Sequence, residues 1–201
     1  MARTQAEDYE ERREAIVEKA ASLFSRRGFH GTSIADLAEA CGTSKSLLYH
    51  YYKSKEDILY DVMHSHVRAL LDAAERIAAQ PLSPSARLRA ITLAFMQLYL
   101  GAADRQRVLL NELGHLREGQ RKTIVGIQRR LIEIIEKIVT ELRPQLSGAA
   151  PLKRPTAMLY FGMINWMHTW LDPAGRAKPA KIAGLAVDIF LEGISAAEIP
   201  A

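Results

Sequence analysis

One cysteine, Cys41, stands in 201 residues, which excludes a disulfide within the chain and with it the disulfide-stapled secreted scaffolds. No run approaches the roughly 18 consecutive apolar residues of a membrane span, so no membrane partner is expected. The opening MARTQAEDYEERRE is too charged for a secretory signal, and a reducing cytoplasm is the expected location. Sustained alternation of apolar and polar residues is missing too, which argues against half-buried strands. No glycine-rich loop follows a strand, as a phosphate cradle requires, and Cys41 has no catalytic partner in its own motif. Low-complexity tracts and internal repeats are also missing.

What is present is ordinary globular composition: 48% apolar and 25% charged residues, too apolar for a disordered chain. The formal charge of +4 permits a nucleic-acid partner, and its distribution says more than its size. From Arg26 to Lys55 the basic residues are Arg26, Arg27, Lys45, Lys53 and Lys55, against only Asp36 and Glu39. Nearly every periodic stretch has the helical period, so the expected fold class is all-α. Helices are expected at about 9–27, 33–42, a short third one after 44, and 54–79. Five more are expected at about 85–103, 105–116, 119–142, 151–171 and 178–197.

The most informative stretch is GTSIADLAEACGTSKSLLYHYYKSKEDIL, residues 31–59. Ser33 followed by Asp36 reads as a capping box, Gly42 ends that helix, and Thr43 and Ser44 offer a new cap almost at once. Two helices joined by so short a turn form a helix-turn-helix arrangement. At 100° per residue the third helix turns Leu48, Tyr51 and Tyr52 towards the protein and leaves Ser46, Leu47, Tyr49 and His50 on or beside the opposite face. An inert surface would carry Glu, Lys or Gln there. Small hydroxyls, an imidazole, a phenol and a leucine, with Lys45 in the first turn, suit base edges, thymine methyls and phosphates in a major groove.

In Thr32, Ile34, Leu37, Ala38, Gly42, Ser44, Leu48, Tyr49, Tyr52, Lys55 and Glu56 the chain resembles the TetR family of one-component transcription regulators, over about residues 12 to 60. Ser46 and Leu47 depart from the Gly and Thr that the family often has, which bears on the operator sequence. The resemblance implies an N-terminal helix-turn-helix DNA-binding domain, 1–55, and a larger helical ligand-binding and dimerisation domain, 56–201. It also implies a homodimer on a double-stranded operator, no cofactor and no enzyme activity. The implied DNA-binding residues are Thr32, Thr43, Ser44, Lys45, Ser46, Leu47, Tyr49, His50 and Lys55. Thr32 and Tyr49 would lie near phosphates, and Lys55, with the N-terminus of helix four, on the backbone.

The strings ELGHLREGQRK (112–122) and GMINWMHTWLDPAG (162–175) are similar to the branch that senses acyl-CoA thioesters. An acyl-CoA needs an apolar tunnel for its tail and cations for its phosphates. The candidate residues are Phe95, Tyr99, Leu113, Arg121, Arg129, Phe161, Asn165, Trp166 and Trp170. Apolar faces on 158–171 and 182–194 are expected to pair two subunits. A regulator of another metabolite or drug, a DNA-binding factor without an effector, and a helical-bundle enzyme are the alternatives. The last is weighed on Glu112 and His115, three positions apart as in di-iron bundles, but the further pair and glutamates of such a site are missing.

Overall fold

In a computed structural model, residues 2–148, 150–172 and 174–197 are described. Met1 and Ala201, the outer ends of the two expected domains, lie outside them. Every regular element among the described residues is helical: α1 (Ala2–Arg27), α2 (Ile34–Ala40), α3 (Lys45–Tyr51), α4 (Lys55–Ala78), α5 (Pro84–Gly101), α6 (Ala103–Asn111), α7 (Glu118–Leu142), α8 (Ala150–Asn165) and α9 (Pro179–Ala196). Short 3-10 turns occupy 113–115, 144–147 and 167–169. No helix of the described residues is long and apolar enough to cross a membrane.

Two compact units divide the chain. The first is Met1–Val67 with Asp104–Val125, the second Arg68–Ala103 with Gly126–Ala201. The boundary expected after residue 55 therefore falls inside the first unit, which also takes in most of α6 and the start of α7. Helices α4 and α7 each contribute residues to both units.

The first unit forms around an apolar stripe of α1, namely Ile16, Val17, Ala20, Leu23 and Phe24, buried with Leu37 of α2, Leu48 of α3, and Ile58, Leu59 and Val62 of α4. Gly28 (φ 71°) ends α1 and Gly42 (φ 60°) ends the turn after α2, both in the left-handed region that favours glycine. The N-cap readings hold: Ser33 Oγ accepts from Asp36 N at 3.1 Å while the Asp36 carboxylate accepts from Ser33 N at 2.7 Å, and Ser44 Oγ accepts from Leu47 N at 3.1 Å.

Two expected helices end early. α6 stops at Asn111 instead of near 116, giving way to the 3-10 turn at 113–115. α8 stops at Asn165 instead of near 171, where His168 Nδ1 bonds the Asn165 carbonyl and Thr169 Oγ1 donates to the Trp166 carbonyl at 2.7 Å. Local side-chain bonds of this kind compete with helix continuation.

In the second unit α5 packs against α9, and Leu88, Ile91, Phe95, Tyr160, Ile164 and Val187 are buried. Thr92 Oγ1 donates to the Leu88 carbonyl at 2.7 Å, so the Tyr160 hydroxyl, 2.7 Å away, donates to Thr92. Burial raises the Tyr160 phenol above its ordinary value, keeping it a donor. Urea unfolding should show Tyr160→Phe less stable by about 1 kcal/mol, and Leu88→Ala by about 2–5 kcal/mol. Equal losses would contradict this packing.

Candidate nucleic-acid interface

Helix α3 is only seven residues long, and its orientation comes from what it buries. Leu48 and the C-capping Tyr52 are buried; Tyr52 donates to Asp61 of α4, which also pairs with Arg13 of α1 at 2.9 Å. Burial, then the Asp61 carboxylate, push the Tyr52 phenol up, so it stays protonated and donating. Tyr51, which the sequence turns inward, is half-buried and stacks on Tyr9 of α1 at 4.7 Å. Its ring edge meets that of His50 at 5.5 Å. α3 is thus tied to α1 and α4 along one side.

The other side is open. Ser44, Lys45, Ser46, Leu47, Tyr49 and His50 are exposed, Tyr49 by 52% and Leu47 by 40%. Ser44, Ser46, Leu47, Tyr49 and His50 line one shallow surface. A large exposed phenol and leucine beside an imidazole and a lysine have no packing role there, and they match the donors, acceptors and apolar groups of a major groove.

Three expected site residues are placed differently. Thr32 is fully buried, its hydroxyl donating to the Gly28 carbonyl at 3.0 Å, and so cannot reach a phosphate. The Lys55 ammonium is committed inside the unit: it donates to the Phe29 and Thr32 carbonyls, both at 2.8 Å, and lies 4.1 Å from the Phe29 ring centre. Such a half-buried, doubly bonded cation serves the fold of the turn before α2. Thr43 is half-buried, with its hydroxyl oxygen shielded and unpartnered among the described residues. Cys41 is half-buried; burial pushes its thiol up, with Lys19 opposing.

One cluster was not foreseen. Glu112 Oε2 accepts from Phe29 N at 3.2 Å and lies 3.3 Å from His115 Nε2. The His115 ring stacks on Phe29 at 5.2 Å and meets His30 edge-on at 4.5 Å. The Glu112–His115 pair thus clamps the 28–32 turn, and among the described residues no group of three or more His, Cys, Asp or Glu is gathered as metal ligands. Arg117, with Asp57 at 3.4 Å, and Gln120, donating to Asp57 at 2.8 Å, make a second tie to the start of α4.

The candidate effector residues divide. Phe95, Tyr99, Phe161 and Asn165 come together in the second unit: Phe95 stacks on Phe161 at 6.3 Å and lies 6.1 Å from Tyr99, whose hydroxyl donates to Asn165 Oδ1 at 2.7 Å. Trp166 and Trp170, expected with them, are 67% and 55% exposed and lie beyond the end of α8. Leu113 and Arg121 belong to the first unit and Arg129 to the second, both arginines exposed.

The sequence pattern of the bacterial regulatory proteins of the tetR family matches residues 16–62, and that of the tetracyclin repressor-like C-terminal domain matches residues 81–194. The chain belongs to the TetR family. It is a transcriptional regulator, and members of this family bind operator DNA and are not enzymes. A TetR-family regulator from Bordetella parapertussis is 39% identical and superposes with a TM-score of 0.86, over 90% of this chain and 94% of that one. AibR, in complex with isovaleryl coenzyme A and operator DNA, is 27% identical with a TM-score of 0.76, over 89% and 97%. The transcriptional repressor KstR2 of Rhodococcus jostii is 23% identical, over 92% of this chain and 91% of its own.

Within this TetR-family head, Lys55→Ala leaves the Phe29 and Thr32 carbonyls without their cation. The variant should unfold in urea with about 1–3 kcal/mol less stability. Its operator binding should keep the wild-type dependence on salt, because no phosphate contact is lost. A stable variant with a salt slope shallower by about one would instead put Lys55 on the DNA backbone.

Proposed function

We propose that the chain is a cytoplasmic, ligand-responsive repressor that binds a palindromic operator as a homodimer and is released by a small molecule, an acyl-CoA. The observation that carries the DNA half is the open face of α3. Lys45, Ser46, Leu47, Tyr49 and His50 reach base edges, with Ser44 and Tyr49 towards the phosphates.

The dimer reading is supported by α8 and α9. Leu159, Leu185 and Ile189 are 72%, 54% and 58% exposed, and an apolar groove of about 400 Å³ is lined by Leu159 and Ile189 together with Leu152, Met163 and Ile194. Patches of this kind on a soluble chain mark an interface. A two-fold dimer presents one α3 to each half-site, in major grooves about 34–36 Å apart or a small multiple of that.

The effector reading rests on AibR and on the set Phe95, Tyr99, Phe161 and Asn165. The aromatic rings give an acyl tail an apolar wall. The Asn165 carbonyl oxygen is taken by Tyr99, and its amide protons have no partner among the described residues, so they suit a thioester carbonyl. Arg129 makes no ion pair among the described residues and is the cation offered to the nucleotide phosphates; Arg130, beside it, is held by Glu75 at 2.6 Å. A ligand favouring the released form by about 3 kcal/mol lowers operator affinity on the order of a hundredfold.

The test is fluorescence anisotropy on a duplex obtained by selection from random DNA. Isovaleryl-CoA or a longer acyl-CoA should lower operator affinity on the order of a hundredfold, with the free acid and free CoA far weaker. Arg129→Ala should weaken the thioester more than the acid. Release by unrelated drugs and by no acyl-CoA would replace the acyl-CoA sensor with a drug sensor. In the same assay His50→Ala should change the preferred base at its position by about 1–3 kcal/mol while binding to random DNA stays the same.

A further inference from the structure

Beside the open face of α3, the first unit contains a cleft of about 270 Å³ between α1, the turn after α2, and α3. Its apolar walls are Ala15, Ile16, Leu47, Leu48 and the ring of Tyr51. Arg12 and Lys19 also line it; seven residues apart, they sit two helical turns apart on one face of α1, with Ala15 and Ile16 between them. No carboxylate lines the cleft, and neither cation has an ion pair among the described residues. Thr43 also lines it, with a hydroxyl oxygen that is shut off from solvent and has no partner among the described residues. The neighbouring Cys41 thiol, raised by burial, brings no negative charge at neutral pH.

An apolar pocket with two unpaired cations and no anion selects an anionic molecule with an apolar body. Size narrows the choice. A dry apolar cavity of about 150 Å³ holds benzene, so 270 Å³ takes an aromatic ring with a short acid arm. It lies below the roughly 300–1,000 Å³ of drug-sized sites and far below what a CoA thioester needs.

We propose that this cleft is a second ligand site, distinct from the acyl-CoA site, that takes a small arylalkanoate. The ring lies against Ile16, Leu47 and Leu48, the carboxylate is paired with Lys19 beside the Cys41–Thr43 turn, and Arg12 adds attraction from the other end. Leu47 belongs also to the proposed DNA face, so an occupant there competes with the operator. That consequence, unlike the site itself, rests on the reading of α3 as the DNA contact.

The probe is 3-phenylpropionate, titrated into the full chain with Ile and Leu methyls labelled for NMR. The methyls of Ile16, Leu47 and Leu48 should shift saturably. 3-Phenylpropan-1-ol, which lacks the charge, should bind at least tenfold more weakly, and acetate should shift none of them. Lys19→Ala should weaken the acid about tenfold, and Ala15→Trp, which fills the cleft from an exposed position, should abolish binding. Should Ala15→Trp not fold, Lys19→Ala decides. Shifts confined to the second unit, equal binding of acid and alcohol, or indifference to Lys19→Ala would overturn the site. Saturating acid should also lower operator affinity several-fold in the wild type; unchanged affinity despite the methyl shifts would overturn the competition and leave the site standing.

Discussion

A helix of seven residues does not persist in water, because the cost of nucleating it outweighs the few hydrogen bonds it closes. α2 and α3 are both that short, so everything the first unit presents outward depends on how firmly they are held from behind. Leu37, Ala38, Leu48 and Tyr52 supply buried area, and the Ser33–Asp36 box and Ser44 satisfy the orphan amides at the two helix starts. The Ser33 hydroxyl, then its backbone amide, hold the Asp36 carboxyl below its ordinary value. That cap is therefore complete above the ordinary carboxylate range and is lost as pH falls through the depressed value.

The turn that leads into α2 needs its own support. Lys55 donates to the Phe29 carbonyl, which also accepts from Thr32 N at 3.3 Å, and to the Thr32 carbonyl, and the Phe29 amide finds an acceptor in Glu112, 83 positions away. The start of α4 is held through Asp57 by Arg117 and Gln120. The segment 104–125 belongs to the same unit as the helix-turn-helix for this reason, and α4 and α7 continue from that unit into the other. Within this unit, anything that shifts Glu112, Arg117 or Gln120 acts on the amide and the helix start that place α2 and α3.

The parts legible in the sequence were those written in local pattern. Caps at Ser33 and Ser44, the left-handed Gly42 and the outward residues of α3 follow from spacing and residue type over a few turns. What stayed hidden depends on distant partners. Lys55 looks like a phosphate-binding lysine at a helix start until the two carbonyls are seen beside it. Thr32 looks like a phosphate contact until its hydroxyl is found on the Gly28 carbonyl. Glu112 and His115 read as a metal-ligand pair or as part of the acyl-CoA-like string 112–122, because nothing near them in the chain reveals Phe29. Trp166 and Trp170 suit a pocket by residue type, and the sequence does not show that they are exposed; nor does it show that α8 ends before 171, where His168 and Thr169 bond back to the carbonyls that the next turn would have used.

The central claim is that the open face of α3 reads a major groove, twice, in a two-fold complex. Dimethyl sulfate probing of a selected operator tests it most directly, since the reagent methylates guanine N7 in the major groove and adenine N3 in the minor groove. Protection of guanine N7 in two inverted half-sites about one helical turn apart, or a small multiple of that, lost in one step when His50 and Tyr49 are both replaced by Ala, is the expected result. Protection confined to adenine N3, or a single unrepeated patch untouched by those substitutions, would contradict the account.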